Sequence, residues 1–281
     1  MPRESITAIV IVATFLSMLL WERLRPLRKR VEPKARRVVR NLAAGGIALA
    51  VSTLLQALIL VPLSRWSRVG LLHRLDLGDV ASVVLAFLLL DYTLWFWHFA
   101  CHRVAFLWRF HLVHHVDRDL DASTALRFHF GELALSTFYR ALQIVVIGAS
   151  PFAVWLWHTV LFGSILFHHA NVRLPVALER WVVRLFVTPR MHGIHHSDQF
   201  SETDSNWSSL LSWWDYLHGT MVLAVPQSEV RIGVPAYQNE RDVTLPRILL
   251  LPFLRQRRDF HRPDGTLQTR MHERPATTLE E

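Results

Sequence analysis

Five apolar runs constrain this chain more than any other feature: Ile6 to Leu20, Leu42 to Leu63, Val80 to about Trp97, Leu133 to Ser150, and Pro151 to Phe167. Runs of this length read as helices that cross a bilayer. Apolar side chains make up 51% of the 281 residues, which suits a chain with several such helices. The expected fold is all-α, an integral membrane helical bundle.

The first run is followed by a segment, Glu22 to Arg40, holding nine Lys or Arg against two Glu. A secretory signal peptide carries its positive charge before the apolar core and ends in a small-residue cleavage pattern, and neither is found here. The run is read as an uncleaved anchor whose C-terminal end faces the cytoplasm. Alternating crossings then deliver His98 and His168 to that same side. Ser150-Pro151 marks a turn. Because Leu133 to Ser150 is short and contains Arg140, the last two runs fit either two full crossings or a re-entrant hairpin. Both versions leave every histidine cluster on one face.

The formal net charge of +8 could suggest nucleic acid. The basic residues lie beside apolar runs, where they set orientation and meet anionic headgroups, and no recognition motif accompanies them. A nucleic-acid partner is therefore not expected. Scarce lysine beside abundant arginine points to a bacterial inner membrane. The single Cys101 excludes an intrachain disulfide and cysteine-based zinc or iron–sulfur sites. Three parts are expected: N-terminal anchor helices with a basic loop (1–79), a histidine-bearing catalytic domain (80–221) and a C-terminal cytoplasmic extension (222–281). In the last part Leu245 to Leu254 could lie at the interface, and the tail from Arg255 reads as loosely held or partly disordered. The tryptophans, Trp95 and Trp157 among them, read mainly as an interfacial belt.

Residues 98 to 115 hold five histidines among mostly large apolar side chains. His98 and His102, at i and i+4, share one face of a helix. His111, His114 and His115 add an i, i+3, i+4 triplet, repeated by His192, His195 and His196. In each triplet the outer pair can grip one ion while the adjacent histidine faces another. An isolated imidazole is usually a core or pH-sensing residue. Eight buried together would leave many ring nitrogens without partners, and a pair of metal ions supplies them. Imidazole alone does not choose among zinc, copper, iron and nickel, although a closed structural zinc site needs only four ligands. The Glu and Glu-x-x-His ligands of soluble di-iron bundles are absent. Glu132, Asp117, Asp198, Asp204 and Asp215 are therefore candidates for orienting imidazoles, with Asp117 and Asp198 equally readable as loop charges or caps. His129 is read as a ligand, a donor behind a ligand or a helix-end partner. His158 reads as core, and His73, His261 and His272 as surface; ligation by His218 is doubtful.

The order HxxxH (98–102), HxxHH (111–115), HxxHH (192–196) resembles the fatty acid hydroxylase superfamily, which includes sterol desaturases. "ALRFHFGE" (125–132), "FHHANVRLP" (167–175) and "DSNW...WWDYLHGT" are similar to further family segments and extend the likeness from Asp91 to Thr220. Only eight residues separate His102 from His111, which favours this superfamily over the acyl desaturases. The resemblance implies a membrane-embedded enzyme whose cytoplasmic helical cap holds a non-haem di-iron site. The implied ligands are His98, His102, His111, His114, His115, His192, His195 and His196, with His169 as the ninth. His168 could replace or accompany His169, and His129 is a further possibility. Glu132, Asn171, Asp198, Asp204 and Asn206 are implied as supporting residues.

The implied cofactors are two iron ions, which zinc can replace on purification, with O2 as cosubstrate. The implied reaction is hydroxylation or desaturation of a lipid. An ether-lipid monooxygenase of alkylglycerol type is the alternative within the superfamily. Outside it stands a non-enzymatic zinc-binding or transport protein, which should place ligands at mid-membrane rather than at helix ends. Neither a dinucleotide-binding glycine fingerprint nor a cytochrome b5-like haem motif is found, so a separate reductase, ferredoxin or cytochrome is expected to dock.

Overall fold

The computed structural model describes residues 2–60, 63, 69–261 and 264–270. Over the described residues each apolar run lies mainly on a helix: α1 (Arg3–Leu24), α2 (Lys34–Leu55), α3 (Asp79–Arg103), then, after the shorter α4 (Ala105–His115), α5 (Phe130–Ile147) and α6 (Pro151–His169). All five long helices are apolar and long enough to cross a membrane. Among the described residues pairing between extended segments is confined to isolated bridges, so the fold is all-α.

Helices α1, α3 and α6 end, and α2 and α5 begin, at the end of the bundle that carries the histidines. Glu22 on the last turns of α1 accepts from the backbone N–H of Ala122 at 2.7 Å and of Asn171 at 3.1 Å. At the far end Gly148 closes α5 in the left-handed region (φ 74°), and the Ser150 hydroxyl caps α6 by accepting from Ala153 N–H at 3.2 Å. This turn packs against Gly70, in the connection between α2 and α3, so closely that a β-carbon on Gly70 would overlap the Gly148 backbone. The α5–α6 turn thus lies beside Gly70, at the end of the bundle away from the histidines.

Large apolar side chains such as Leu16, Leu20, Leu49, Phe138 and Leu142 stay exposed on the outer faces, as lipid-facing helices require. Leu90, Trp157 and Leu161 pack inside. Trp95 and Trp157 are buried in helix packing and do not belong to an interfacial belt.

The basic segment is partly internal. Arg37, fully buried, pairs with Asp117 at 3.2 Å and Asp121 at 2.8 Å, and Arg40 bridges Glu32 at 3.0 Å and Asp117 at 3.2 Å. Asp117 is neither a loop charge nor a partner of an imidazole. Burial would raise its carboxyl, but Arg37, Arg127 and Arg40 outweigh that and hold it at about 2.

The C-terminal part folds over α4: Val234, Tyr237, Val243, Ile248, Leu251 and Phe260 pack on Leu112, Val113 and Val116. Leu250 and Phe253 remain exposed, as an interfacial segment would be. Within the tail expected to be loose from Arg255, parts of the described segments 255–261 and 264–270 contact the rest of the chain. Phe260 is buried, Asp259 accepts from the Trp108 indole at 2.6 Å, and Phe200 N–H donates to the Gln268 carbonyl at 2.9 Å. One apolar anchor and a few paired polar groups suffice where composition looked uniformly polar. Residues 271–281 fall outside the described residues.

Candidate metal centre

Two features of local sequence bring the histidine segments to one place. Extended backbone at Val104 (φ −94°, ψ 111°) interrupts the helix after His98 and His102, so α4 starts in a new direction carrying His111, His114 and His115. The third box lies on a seven-residue helix, Pro189–His195, started by Thr188, whose hydroxyl accepts from Met191 N–H at 3.3 Å, and by Pro189. The end of α6 supplies His168 and His169.

The structure gathers nine histidines into two groups: His98, His102, His111, His115 and His195, and His114, His169, His192 and His196. Within each group the potential ligand atoms lie within 4.8 Å of one another. Each triplet is divided between groups, its outer i, i+4 pair going to one and its inner member to the other. This follows from helix geometry, because residues four apart stack on one face while the intervening one points aside.

Anchored Nδ1 atoms turn the Nε2 atoms inward. The Nδ1–H of His98 donates to the Trp207 carbonyl at 2.7 Å, that of His195 to the Ser205 carbonyl at 2.7 Å, and that of His169 to the Ile165 carbonyl at 2.8 Å. His111 donates to Glu132 at 2.8 Å and His114 to the Arg127 carbonyl at 3.3 Å. These acceptors fix the tautomer, leaving a lone pair on each Nε2. Yet Nε2 of His114 faces Nε2 of His169 at 3.0 Å, with no hydrogen between them. Nε2 of His195 is buried without a partner. A cation among these lone pairs resolves both, so the residues fit a pair of metal ions. Burial and neighbouring imidazoles hold His114, His115, His192 and His196 well below the ordinary histidine value. Burial likewise pushes His195 down to about 3, against its bond to the Ser205 carbonyl. All five stay neutral, the form that binds metal.

Residues 83–220 match the fatty acid hydroxylase family. Those residues belong to that family. It is 32% identical to an ornithine lipid hydroxylase of Rhizobium tropici over 54% of its own length and 45% of the relative's. It is 27% identical to the cholesterol 25-hydroxylase of Mus musculus (55% and 51% of the two chains) and 29% identical to the alkylglycerol monooxygenase of Xenopus tropicalis (49% and 30%). The matches thus span about half or less of these curated relatives' length. No solved structure matches.

Within this fatty acid hydroxylase fold the other predicted residues fall as follows. His168 lies outside both groups, its ring centroid 4.1 Å from that of His192. His129 also lies outside: its Nδ1 caps α5 by accepting from Gly131 N–H at 2.9 Å, and its Nε2 donates to the Leu249 carbonyl at 3.1 Å. Glu132 reaches a histidine directly, while Asn171, Asp198, Asp204 and Asn206 have other partners. Asp204 pairs with Arg103 at 2.7 Å, and Asp198 accepts from Gln199 at 2.7 Å. Asn206 sits at φ 55°, a left-handed conformation that asparagine tolerates, and its side chain ties Met191 to Val222. The turn it makes aims the flanking carbonyls, Ser205 and Trp207, at His195 and His98. Asp215 fastens the same turn by accepting from Trp207 N–H at 3.0 Å and Ser208 N–H at 2.9 Å. His218 stacks on Trp95 and His158 lies within α6, both apart from the groups.

The carbonyl acceptors were missed from sequence, since every residue carries a carbonyl and nothing marks those of 127, 165, 205 and 207. A cavity of about 230 Å³ reaches His102 between Trp108, Phe200 and Phe260.

Proposed function

We propose that the chain is an O2-dependent lipid hydroxylase or desaturase working through two iron ions held by His98, His102, His111, His115 and His195 and by His114, His169, His192 and His196. The observation that carries this reading is the facing of Nε2 atoms within each of two groups, His114 and His169 at 3.0 Å in one and His111 and His115 at 3.2 Å in the other, at the end of a bundle of long apolar helices. Membership of residues 83–220 in the fatty acid hydroxylase family, and relatives named for hydroxylating ornithine lipid and cholesterol, support a lipid substrate. A likeness to alkylglycerol monooxygenases keeps ether-lipid oxidation as the alternative outcome at the same site.

When bound, the iron pair would supply the redox chemistry that attack on an unactivated C–H bond requires. The protein does the rest. Hydrogen bonds to Glu132 and to the carbonyls of 127, 165, 205 and 207 hold the imidazoles in one tautomer and orientation. The cavity at His102 combines aromatic walls, Trp108, Phe200 and Phe260, with the charged side chains of Asp204, Arg258 and Asp259, an approach suited to a ligand with both apolar and polar parts. The arginine-rich face of the bundle supports a cytoplasmic orientation in a bacterial inner membrane, and a separate electron donor would dock there.

Anaerobic loading with ferrous iron, followed by O2, reductant and membrane lipids with mass-spectrometric analysis, tests the reading. A lipid product carrying one added oxygen, or two fewer hydrogens, is expected. Two tightly held zinc ions per chain with no iron-dependent product would overturn it.

A further inference from the structure

We propose that the chain carries a second binding site, for a phosphate-class oxyanion, in the cavity beside Arg28. This cavity, of about 350 Å³, is lined by Arg28, Lys29, Arg118 and Arg231 against Asp119 and Asp198. Arg28 is only 9% exposed, yet its Nε and Nη2 have no partner. Those two nitrogens share one edge of the planar guanidinium, the edge that grips an oxyanion with two parallel hydrogen bonds. Its third nitrogen is already used, donating to Gln227 Oε1 at 2.5 Å and to the Pro189 carbonyl at 3.4 Å.

The cavity's carboxylates do not take the idle donors. Asp119 accepts from the backbone N–H of Val31 at 2.9 Å and of Glu32 at 2.8 Å, and Asp198 accepts from Gln199 at 2.7 Å. Burial, with Arg190 nearby, brings Arg28 down to about 10, which agrees with a cation lacking its full complement of partners.

The guanidinium is also held in place before any ligand arrives. Asn171 clamps the Arg28 backbone from both sides, accepting from its N–H at 2.8 Å and donating to its carbonyl at 2.9 Å. Gly193 gives the head its seat, because a β-carbon there would overlap Nη1. Arg28 and Asn171 lie shortly after the ends of α1 and α6, in the connections at the end of the bundle that carries the histidines. The oxyanion therefore has two sources of one chemistry: a soluble phosphate, or the phosphodiester of a lipid headgroup.

The full chain in nanodiscs of digalactosyldiacylglycerol, which carries no phosphate, alone or mixed with phosphatidylglycerol, tests this by thermal melting with inorganic phosphate titrated against chloride of equal ionic strength. A saturable rise with phosphate in both nanodiscs identifies the soluble source. A rise caused by phosphatidylglycerol, which added phosphate no longer increases, identifies the headgroup. In either case Arg28→Lys, which keeps the charge and loses the fork, should weaken binding about tenfold, as for one lost charge-assisted hydrogen bond. Should Arg28 variants fail to fold, the exposed pair Lys29→Gln and Arg231→Gln must lower the apparent affinity. No saturable shift in either nanodisc, or an unchanged shift in that double variant, overturns the proposal.

Discussion

Glu132 accepts the Nδ1 hydrogen of His111 at 2.8 Å, while its other carboxylate oxygen is buried without a partner. It is the one carboxylate among the sequence candidates that touches a gathered histidine. A carboxylate behind a ligating imidazole fixes the ring and raises its basicity, and removing such partners typically lowers metal affinity about 10–100-fold. Glu132→Ala should lose that much in competition with a calibrated chelator. Glu132→Gln, which keeps an acceptor, should lose less. Equal affinity in all three proteins would remove Glu132 from the support of the centre.

His129 and His114 separate a cap from a ligand. His129→Ala should leave bound metal unchanged and lower stability by about 1 kcal/mol, the usual worth of an N-cap, with His129→Asn restoring most of it. His114→Ala should lower metal per chain, read by elemental analysis. The two variants should thus differ in opposite columns of the same experiment, one in melting temperature and the other in metal content. A metal loss in His129→Ala would assign that ring to the centre instead.

The histidine boxes were legible because their signal is local: i, i+3 and i+4 spacing states which rings share a helix face. What holds the rings was not legible. The choice of His169 over His168 depends on where α6 ends, and the acceptors for four of the anchored rings are backbone carbonyls. Asn171, Asn206 and Asp215 were visible as polar residues in the right segments. Their roles, clamping Arg28 or fastening the turn at 205–208, depend on partners far away in the chain. Charge misled in the same way: Arg37 looks like its exposed neighbour Arg36, and only packing against the 117–121 loop makes it internal.

Asp259 gives a pH dependence. Burial pushes its carboxyl up to about 6, against the hydrogen bond from Trp108. A carboxyl whose folded value lies above its unfolded one, about 3.9, holds its proton more tightly in the folded chain. Its contribution to stability is full below about pH 4, declines as pH rises to about 6 and stays lost above that. The difference is at most about 3 kcal/mol, since two units are involved and the group is partly exposed. Melting temperatures of wild type and Asp259→Asn, measured from pH 4 to 7, should differ in slope across this window. Parallel curves would show that Asp259 titrates normally.

Arg37 is the residue whose removal should matter most outside the histidines. It is fully buried and faces Asp117 and Asp121, with Asp119 at 3.7 Å, so Arg37→Ala leaves buried carboxylates without their cation. Breaking a buried pair from one side costs about 3–5 kcal/mol, because the remaining charge keeps its desolvation penalty. The loop they hold leads directly to Arg127, whose carbonyl accepts from His114, so the loss should spread to the centre. Arg37→Ala is therefore expected to melt far below wild type and to bind less metal. Arg37→Lys, retaining the charge but not the fork, should fall between the two. If instead Arg37→Ala melted within about 1 kcal/mol of wild type, as surface pairs do, the network would be contributing no more than an exposed salt bridge.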